Sequence, residues 1–354
     1  MGADGVRRVR VGACLSLSGR FAPFGRQAAH GLRVWAALDG NADVLIEDDA
    51  SEVRQRQALL PGVAARCDLL LGPYSTVLLR AAGDMAAEEG WLIWNHGGSG
   101  DDVETAHPGH IVSVLTPTSR YVEPFLIHLA AEASPAQELR IAHAKGRFGR
   151  QIASGAEAYA RQLGFTHVSM APADEILASD LPDDWTLITA GTFEDDTVTV
   201  IRARSLNRPP RVTCAVAAGV QEFSKFLAYP GGTFGIAQWL RGSGHKALLG
   251  PNEREFLDAY QAAVGEMPDY PAIQVAATAA LAAHCARHVG SIDRELLWKA
   301  ATALETDTLY GRFKIDKITG AQLSHQTVLT RWTETELLPV SHDPGQTRAS
   351  DVVT

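Results

Sequence analysis

The stretch LRIAHAKGRFGRQ, residues 139–151, decides how this chain is read. Leu139 to Ala144 is a short apolar run of strand type, and from Gln151 to Leu163 the apolar residues recur at helical spacing. The same order occurs near the N-terminus. There Val9 to Leu17 is strand-like, and Leu32, Trp35 and Leu38 mark the apolar face of a helix behind it. The tetrapeptide FGRQ follows the first strand in both places, as Phe24-Gly25-Arg26-Gln27 and as Phe148-Gly149-Arg150-Gln151. One supersecondary pattern therefore runs, ends and restarts.

Working outward, the first run supplies strands at Val9 to Leu17, Asp43 to Asp48, Asp68 to Leu71, Trp91 to Asn95 and Ile111 to Leu115. The second supplies Leu139 to Ala144, His167 to Met170, Trp185 to Ala190 and Arg211 to Val216, with helices over Gln151 to Leu163 and Thr197 to Ser205. Strands alternating with helices predict α/β architecture: two Rossmann-like lobes, each a parallel sheet flanked by helices. Beyond a strand at Phe234 to Leu240, helices over Asn252 to Val264, Ala272 to His288 and Asp293 to Leu304 precede further strands. This tail is too short and irregular for a third core and is expected to complete both lobes. The boundaries expected are 1–118 with 241–324 for lobe 1, and 119–240 with 325–354 for lobe 2. Crossings near Thr116 to Arg120, Gln238 to Ser243 and Leu323 to Gln326 would make a three-segment hinge with a ligand cleft.

Composition fits that reading. The 354 residues are 46% hydrophobic and 21% charged, and at roughly 150 residues per domain they suggest two domains. Lys+Arg 32 against Asp+Glu 41 gives a net charge of −9 with no basic cluster, which argues against nucleic acid as a partner. Cys14, Cys67, Cys214 and Cys285 stand far apart with no CxxC pair, so neither a zinc site nor a disulfide framework is indicated. The segment from Met1 has no apolar core of signal-peptide type. Ala272 to Val289, interrupted by Gln274, His284, Arg287 and His288, falls short of the ~20 apolar residues of a bilayer span, so a membrane-embedded chain is not expected.

The loops after the strands carry the candidate chemistry. Ser75 and Thr76 follow Gly72-Pro73-Tyr74 and open a helical run, Val77 to Glu89, which places two hydroxyls and free backbone N–H groups at a helix N-terminus. Such an end attracts a carboxylate; the plain alternative is a helix cap. Gly97-Gly98-Ser99-Gly100 leaves the next strand, and its glycines would let a ligand approach the backbone. A hydrolase using Ser99 and His96 is a minor alternative, since Asp101 breaks the GxSxG pattern. Neither GxGxxG nor a P-loop occurs, so no nucleotide cofactor is indicated. His284 and His288 have metal-ligand spacing on a helix, but no HExxH follows, and no metal is expected. The pairs Asp48-Asp49, Asp101-Asp102 and Asp195-Asp196 read as solvated loop charges.

Taken in order, Leu15-Ser16-Leu17-Ser18-Gly19 with Phe24-Gly25 and Gly31, then Leu71-Gly72-Pro73-Tyr74-Ser75-Thr76, then Gly311-Arg312-Phe313-Lys314-Ile315-Asp316 before Thr319-Gly320, resemble the type I periplasmic binding proteins of the leucine/isoleucine/valine-binding class. The resemblance spans about residues 8 to 340. It implies a non-catalytic two-lobed binder, and a ligand α-carboxylate held at Ser75, Thr76, Gly98 and Ser99. It also implies aromatic closure over the ligand at Tyr74, Phe24, Phe148 and Thr192-Phe193. Family binders of amino acids hold the ammonium with an acid where this chain has Ala218, so a standard amino acid is not the expected ligand. Glu194 is the candidate substitute, with the alternative of a solvated helix-cap acid. A carboxylate or amide with an apolar or aromatic body is expected, walled by Trp94, His96 and Trp239. If a signal segment was trimmed ahead of Met1, the implied partner is an ABC permease outside the cytoplasm. If Met1 is the native start, the chain is similar to cytoplasmic amide sensors of the family that act on a regulatory protein.

Overall fold

In the computed structural model, which describes residues 8–132, 137–243 and 246–340, strands and helices alternate from the start. The N-terminal segment from Met1 and the end of lobe 2 beyond residue 340 lie outside the described residues. The chain opens as β1 (Val9–Leu15), α1 (Ala22–Asp39), β2 (Ala42–Asp48), α2 (Val53–Ala64), β3 (Leu69–Leu71), α3 (Thr76–Glu89), β4 (Ile93–Asn95), α4 (Val103–Ala106) and β5 (Ile111–Ser113). These strands form one sheet in the order β2-β1-β3-β4-β5, parallel throughout. Every residue of β3, β4 and β5 is buried, as expected of strands covered on both faces by helices.

A second alternation follows: α5 (Glu123–Glu132), β6 (Glu138–His143), α6 (Arg147–Gln162), β7 (Val168–Pro172), α7 (Ala173–Ala178), β8 (Trp185–Ala190), α8 (Phe193–Arg204), β9 (Val212–Ala215), a 3₁₀ turn at Val216–Gly219, α9 (Phe223–Phe226) and β10 (Phe234–Ala237). The chain then forms α10 (Glu253–Val264), α11 (Tyr270–Val289), α12 (Arg294–Ala303) and a hairpin of β11 (Thr306–Thr308) and β12 (Gly311–Phe313), before β13 (Val328–Trp332) and β14 (Leu337–Pro339). The second sheet has the order β14-β13-β10-β9-β8-β6-β7. Its strands from β7 to β10 run parallel, and β13 and β14 close one edge antiparallel.

Two compact units result. Unit 1 comprises the residues up to Tyr121 with Gln238–Thr327, and unit 2 comprises Val122–Ala237 with the residues from Val328 onward. In unit 1, α11 packs against α1 and is buried nearly all round, which explains its long apolar run as a core helix rather than a span. Among the described residues no helix is long and apolar enough to cross a membrane. Trp35 and Trp94 lie in the unit 1 core and Trp185 in that of unit 2.

The repeated FGRQ has a physical cause in both units. A Cβ at Gly25, in the first turn of α1, would stand 2.1 Å from the Ser16 carbonyl oxygen, and one at Gly149, in the first turn of α6, would stand 2.4 Å from that of Ala190. Only glycine lets each helix start this close to a strand end. The arginine that follows hooks back onto the strand-to-helix loop in each case: Arg26 Nε donates to Leu17 O at 2.7 Å, and Arg150 donates to Lys145 O.

Candidate functional site

In a parallel α/β sheet the loops leaving the C-terminal ends of the strands gather on one edge, the usual ligand edge of such folds. In unit 1, Ser75 is the N-cap of α3 and its Oγ accepts from Leu78 N–H at 3.4 Å. Its φ of 89° is a strained conformation for a residue with a side chain, and its N–H donates to Gly97 O at 3.0 Å, tying the β3 loop to the β4 loop. The first intrahelical bond shown runs from Leu79 N–H to Ser75 O, so the N–H groups of Thr76 and Val77 precede the helical ladder. Thr76 Oγ1 accepts from Gly100 N–H at 3.2 Å and keeps its own proton to donate. The first turn of α3 contains no acidic side chain.

Asn95, which sequence reasoning missed, shapes the loop that follows β4. Fully buried, it takes the N–H groups of Gly97 and Gly98 on Oδ1 at 3.0 and 2.9 Å, and donates Nδ2 to Gly98 O and Ser113 Oγ, both at 2.6 Å. The Gly98 N–H is thus directed inward, so Gly98 contributes loop shape. Ser99 accepts the Thr118 hydroxyl on both its carbonyl, at 2.6 Å, and its Oγ, at 3.1 Å. A strand-end asparagine with Gly97-Gly98 beginning two residues on was the signal available in the sequence.

Aromatic rings flank this edge. Phe24 stacks on Tyr74 with centroids 4.6 Å apart and planes 4° from parallel, and the Tyr74 hydroxyl meets that of Tyr270 at 2.6 Å. Burial pushes the Tyr74 phenol up to about 12, so it is neutral and can donate or accept. His96 is wholly buried and neither ring nitrogen has a hydrogen bond of normal geometry; burial brings it down to about 4, against weak opposition from the backbone of Gly72 and of His96 itself. It is a neutral imidazole. The expected wall at Trp239 is corrected: only 4% exposed, it packs in the unit 1 core and its indole N–H donates to Leu309 O at 3.1 Å. Trp94 is likewise core.

In unit 2 the corresponding loops are built differently. Thr192 precedes α8, and both its N–H and its hydroxyl donate to Asp195 Oδ2, at 3.0 and 2.8 Å. Glu194 is exposed in the first turn with its Oε2 3.0 Å from Thr192 Oγ1, where it shares the one hydroxyl proton with Asp195 in the manner of a helix-cap acid. Phe193 meets Phe226 edge-on at 4.9 Å. Phe148 lies half-buried in the first turn of α6. Ala218 is fully buried in the 3₁₀ turn and its carbonyl accepts from Trp332 Nε1 at 2.8 Å, so the turn itself carries no acid. The acid beside it is Asp196, whose Oδ2 accepts from Ala217 N–H at 2.9 Å. Burial pushes Asp196 up to about 7. The solvated reading of Asp195-Asp196 and Asp48-Asp49 is thereby corrected, because Asp196 is 1% exposed and Asp49 is fully buried against the Ser16 hydroxyl at 2.6 Å.

A sequence profile described as periplasmic binding protein matches residues 8–336. The chain belongs to the periplasmic binding proteins. No curated protein sequence matches it. Among solved structures it is similar to a leucine binding protein, LivK, from Thermotoga maritima (TM-score 0.76, 13% identity, 94% of this chain and 98% of that one). It is also similar to an ABC transporter substrate-binding protein from Desulfitobacterium hafniense (TM-score 0.77, 14% identity, 94% and 100%). A third is a solute binding protein of an ABC transporter from R. palustris in complex with benzoate (TM-score 0.72, 14% identity, 94% and 96%). At such identities the likeness is one of fold.

For this periplasmic binding protein, other chemistry finds little in the geometry. A Ser99–His96 hydrolase needs a hydrogen bond from serine to imidazole, and His96 makes none. Among the described residues no group of three His, Cys, Asp or Glu side chains is placed to hold a metal. The four cysteines are free. A surface cavity of about 540 Å³ in unit 1 is lined by Trp35, Asp39, Glu255, His284, Arg287 and His288, on elements other than the strand-end loops. Its strongest feature, the Arg287–Asp39 fork at 2.7 and 2.5 Å, is already self-paired.

Proposed function

We propose that the chain is the solute-binding component of an ABC transporter of the branched-chain-amino-acid type, and that it binds without turnover a small molecule bearing a carboxylate or amide on an apolar or aromatic body. The observation that carries this is the start of α3. Its first N–H groups and the Thr76 hydroxyl are donors with no acid in the first turn, set beside the Phe24–Tyr74 stack. A helix N-terminus carries about half a positive charge, so an anion is favoured there. An ammonium would need a counter-charge, and Ala218 supplies none. Family membership supports binding as the activity, and solved structures of similar fold hold leucine in one case and benzoate in another.

A thermal-shift panel tests the reading, because a ligand that binds only the folded chain raises its midpoint. Benzoate and 3,4-dihydroxybenzoate are expected to raise it more than leucine or isoleucine does. A larger shift with leucine would overturn the ligand class.

A further inference from the structure

Glu104, on α4, is 5% exposed and stands at the end of a hydrogen-bond chain that reaches the Gly97–Ser99 loop. Its Oε1 accepts the Ser113 hydroxyl proton. Ser113 Oγ in turn accepts from Asn95 Nδ2 at 2.6 Å, and Asn95 Oδ1 receives the Gly97 and Gly98 N–H groups at 3.0 and 2.9 Å. The loop backbone holds the Asn95 amide from one side, with Nδ2 donating to Gly98 O at 2.6 Å, and Glu104 sets the polarity from the other. An ionised carboxylate can only accept, so Ser113 must donate to it and is left with lone pairs that call for a donor. Asn95 meets that demand with one N–H of its NH₂, the other going to Gly98 O, and its carbonyl then faces the Gly97 and Gly98 N–H groups.

We propose that ionised Glu104, through Ser113, fixes the orientation of the Asn95 amide and thereby holds the Gly97–Ser99 loop, making all three positioning residues for ligand binding. The inference rests on the reading of that loop as a ligand loop. Protonated Glu104 can itself donate to Ser113, whose own proton is then free to compete for the Asn95 carbonyl; the amide keeps only its loop-side anchor, Nδ2 to Gly98 O at 2.6 Å, and the two glycine N–H groups must share their acceptor. The surrounding charges do not substitute for Glu104. Asp102 is held by Arg80 of α3 at 2.9 and 2.6 Å, and Asp101 accepts from Ser119 N–H at 3.0 Å. His107 of α4 is bound to Asp84 of α3 at 2.8 Å and to Val103 O at 2.9 Å, and His96 beyond β4 is neutral.

The test follows the backbone amide resonances of Gly97 and Gly98 in the ligand-free protein from about pH 5.5 to about pH 8.5, bracketing the value of about 7 to which burial pushes Glu104. In the wild type both amides are expected to titrate together, with the midpoint of the Glu104 side-chain carboxyl carbon. In Glu104→Gln they are expected to be flat. In Ser113→Ala the carboxyl carbon still titrates while the glycine amides do not follow it. Equal titration in Glu104→Gln, or flat glycines in a wild type whose Glu104 carboxyl titrates, would overturn the proposal. The wild-type comparison alone decides if the variants fail to fold. With no ligand present, the result stands apart from whether the protein binds carboxylates, which a separate benzoate titration reads.

Discussion

The two units solve the same local problem in opposite ways. In unit 1, α3 starts with hydroxyls and no acid in its first turn; in unit 2, α8 starts with Glu194, Asp195 and Asp196. The N-terminus of α8 is thus satisfied by its own side chains, while that of α3 keeps donors for an anion. The buried acids differ as well. Glu104 acts on its loop through Ser113 and Asn95, whereas Asp196 accepts directly from the Ala217 backbone. The proposed carboxylate subsite accordingly lies in unit 1, where the helix start has no acid of its own.

The largest expected effects probe what the units share. Gly25→Ala and Gly149→Ala each push a Cβ into a carbonyl oxygen, at 2.1 and 2.4 Å, and should each destabilise their own unit by about 3 kcal/mol, the upper range for overpacking. Urea unfolding would show it, with Gly25→Ala the more severe. Asn95→Ala strands the buried N–H groups of Gly97 and Gly98, and a loss of about 2 kcal/mol is expected from unit 1, with benzoate binding lost alongside.

Next comes pH. Both Glu104 and Asp196 are raised by burial from the ordinary carboxylate range to about 7, so between pH ~4 and ~7 the folded state binds more protons than the unfolded one. Stability should fall as pH rises through that window and level off above it. Glu104→Gln should flatten the slope belonging to unit 1 and Asp196→Asn that of unit 2, read by denaturant titrations at several pH values. A slope unchanged by both would remove the two acids from the account. The smallest effect is expected for Thr76→Ala, which removes one charge-assisted hydrogen bond and should weaken benzoate by about 1 kcal/mol, measured by calorimetry.

Much of the fold was legible because parallel strands write themselves as short apolar runs: Trp185–Ala190 coincides with β8, and the strands predicted at the N-terminus lie over β1 to β5. The FGRQ echo was legible as a pattern and needed coordinates to show that its glycine is a contact requirement. Between Asp48 and Asp68 the sequence reading named no helix by range, and α2 forms there despite Pro61 inside its last turn, which removes one backbone N–H donor. At the site, Ser75 and Thr76 were visible because a cap is a local feature. The Asn95–Ser113–Glu104 chain and the Tyr74–Tyr270 contact were not, since they join residues 9, 18 and 196 positions apart. Asp196 looked solvated because burial is a property of packing. Trp239, taken for a wall, is core for the same reason.

The proposed ligand is a carboxylate on an apolar body, with Ala218 standing where an acid would pair with an ammonium and the neighbouring Asp196 already accepting from Ala217 N–H. Calorimetric titration of the full chain with benzoate and with leucine tests it most directly. The account predicts that benzoate binds at least about tenfold more tightly, a difference of about 1.4 kcal/mol. Leucine binding as tightly as benzoate, or more tightly, would contradict it.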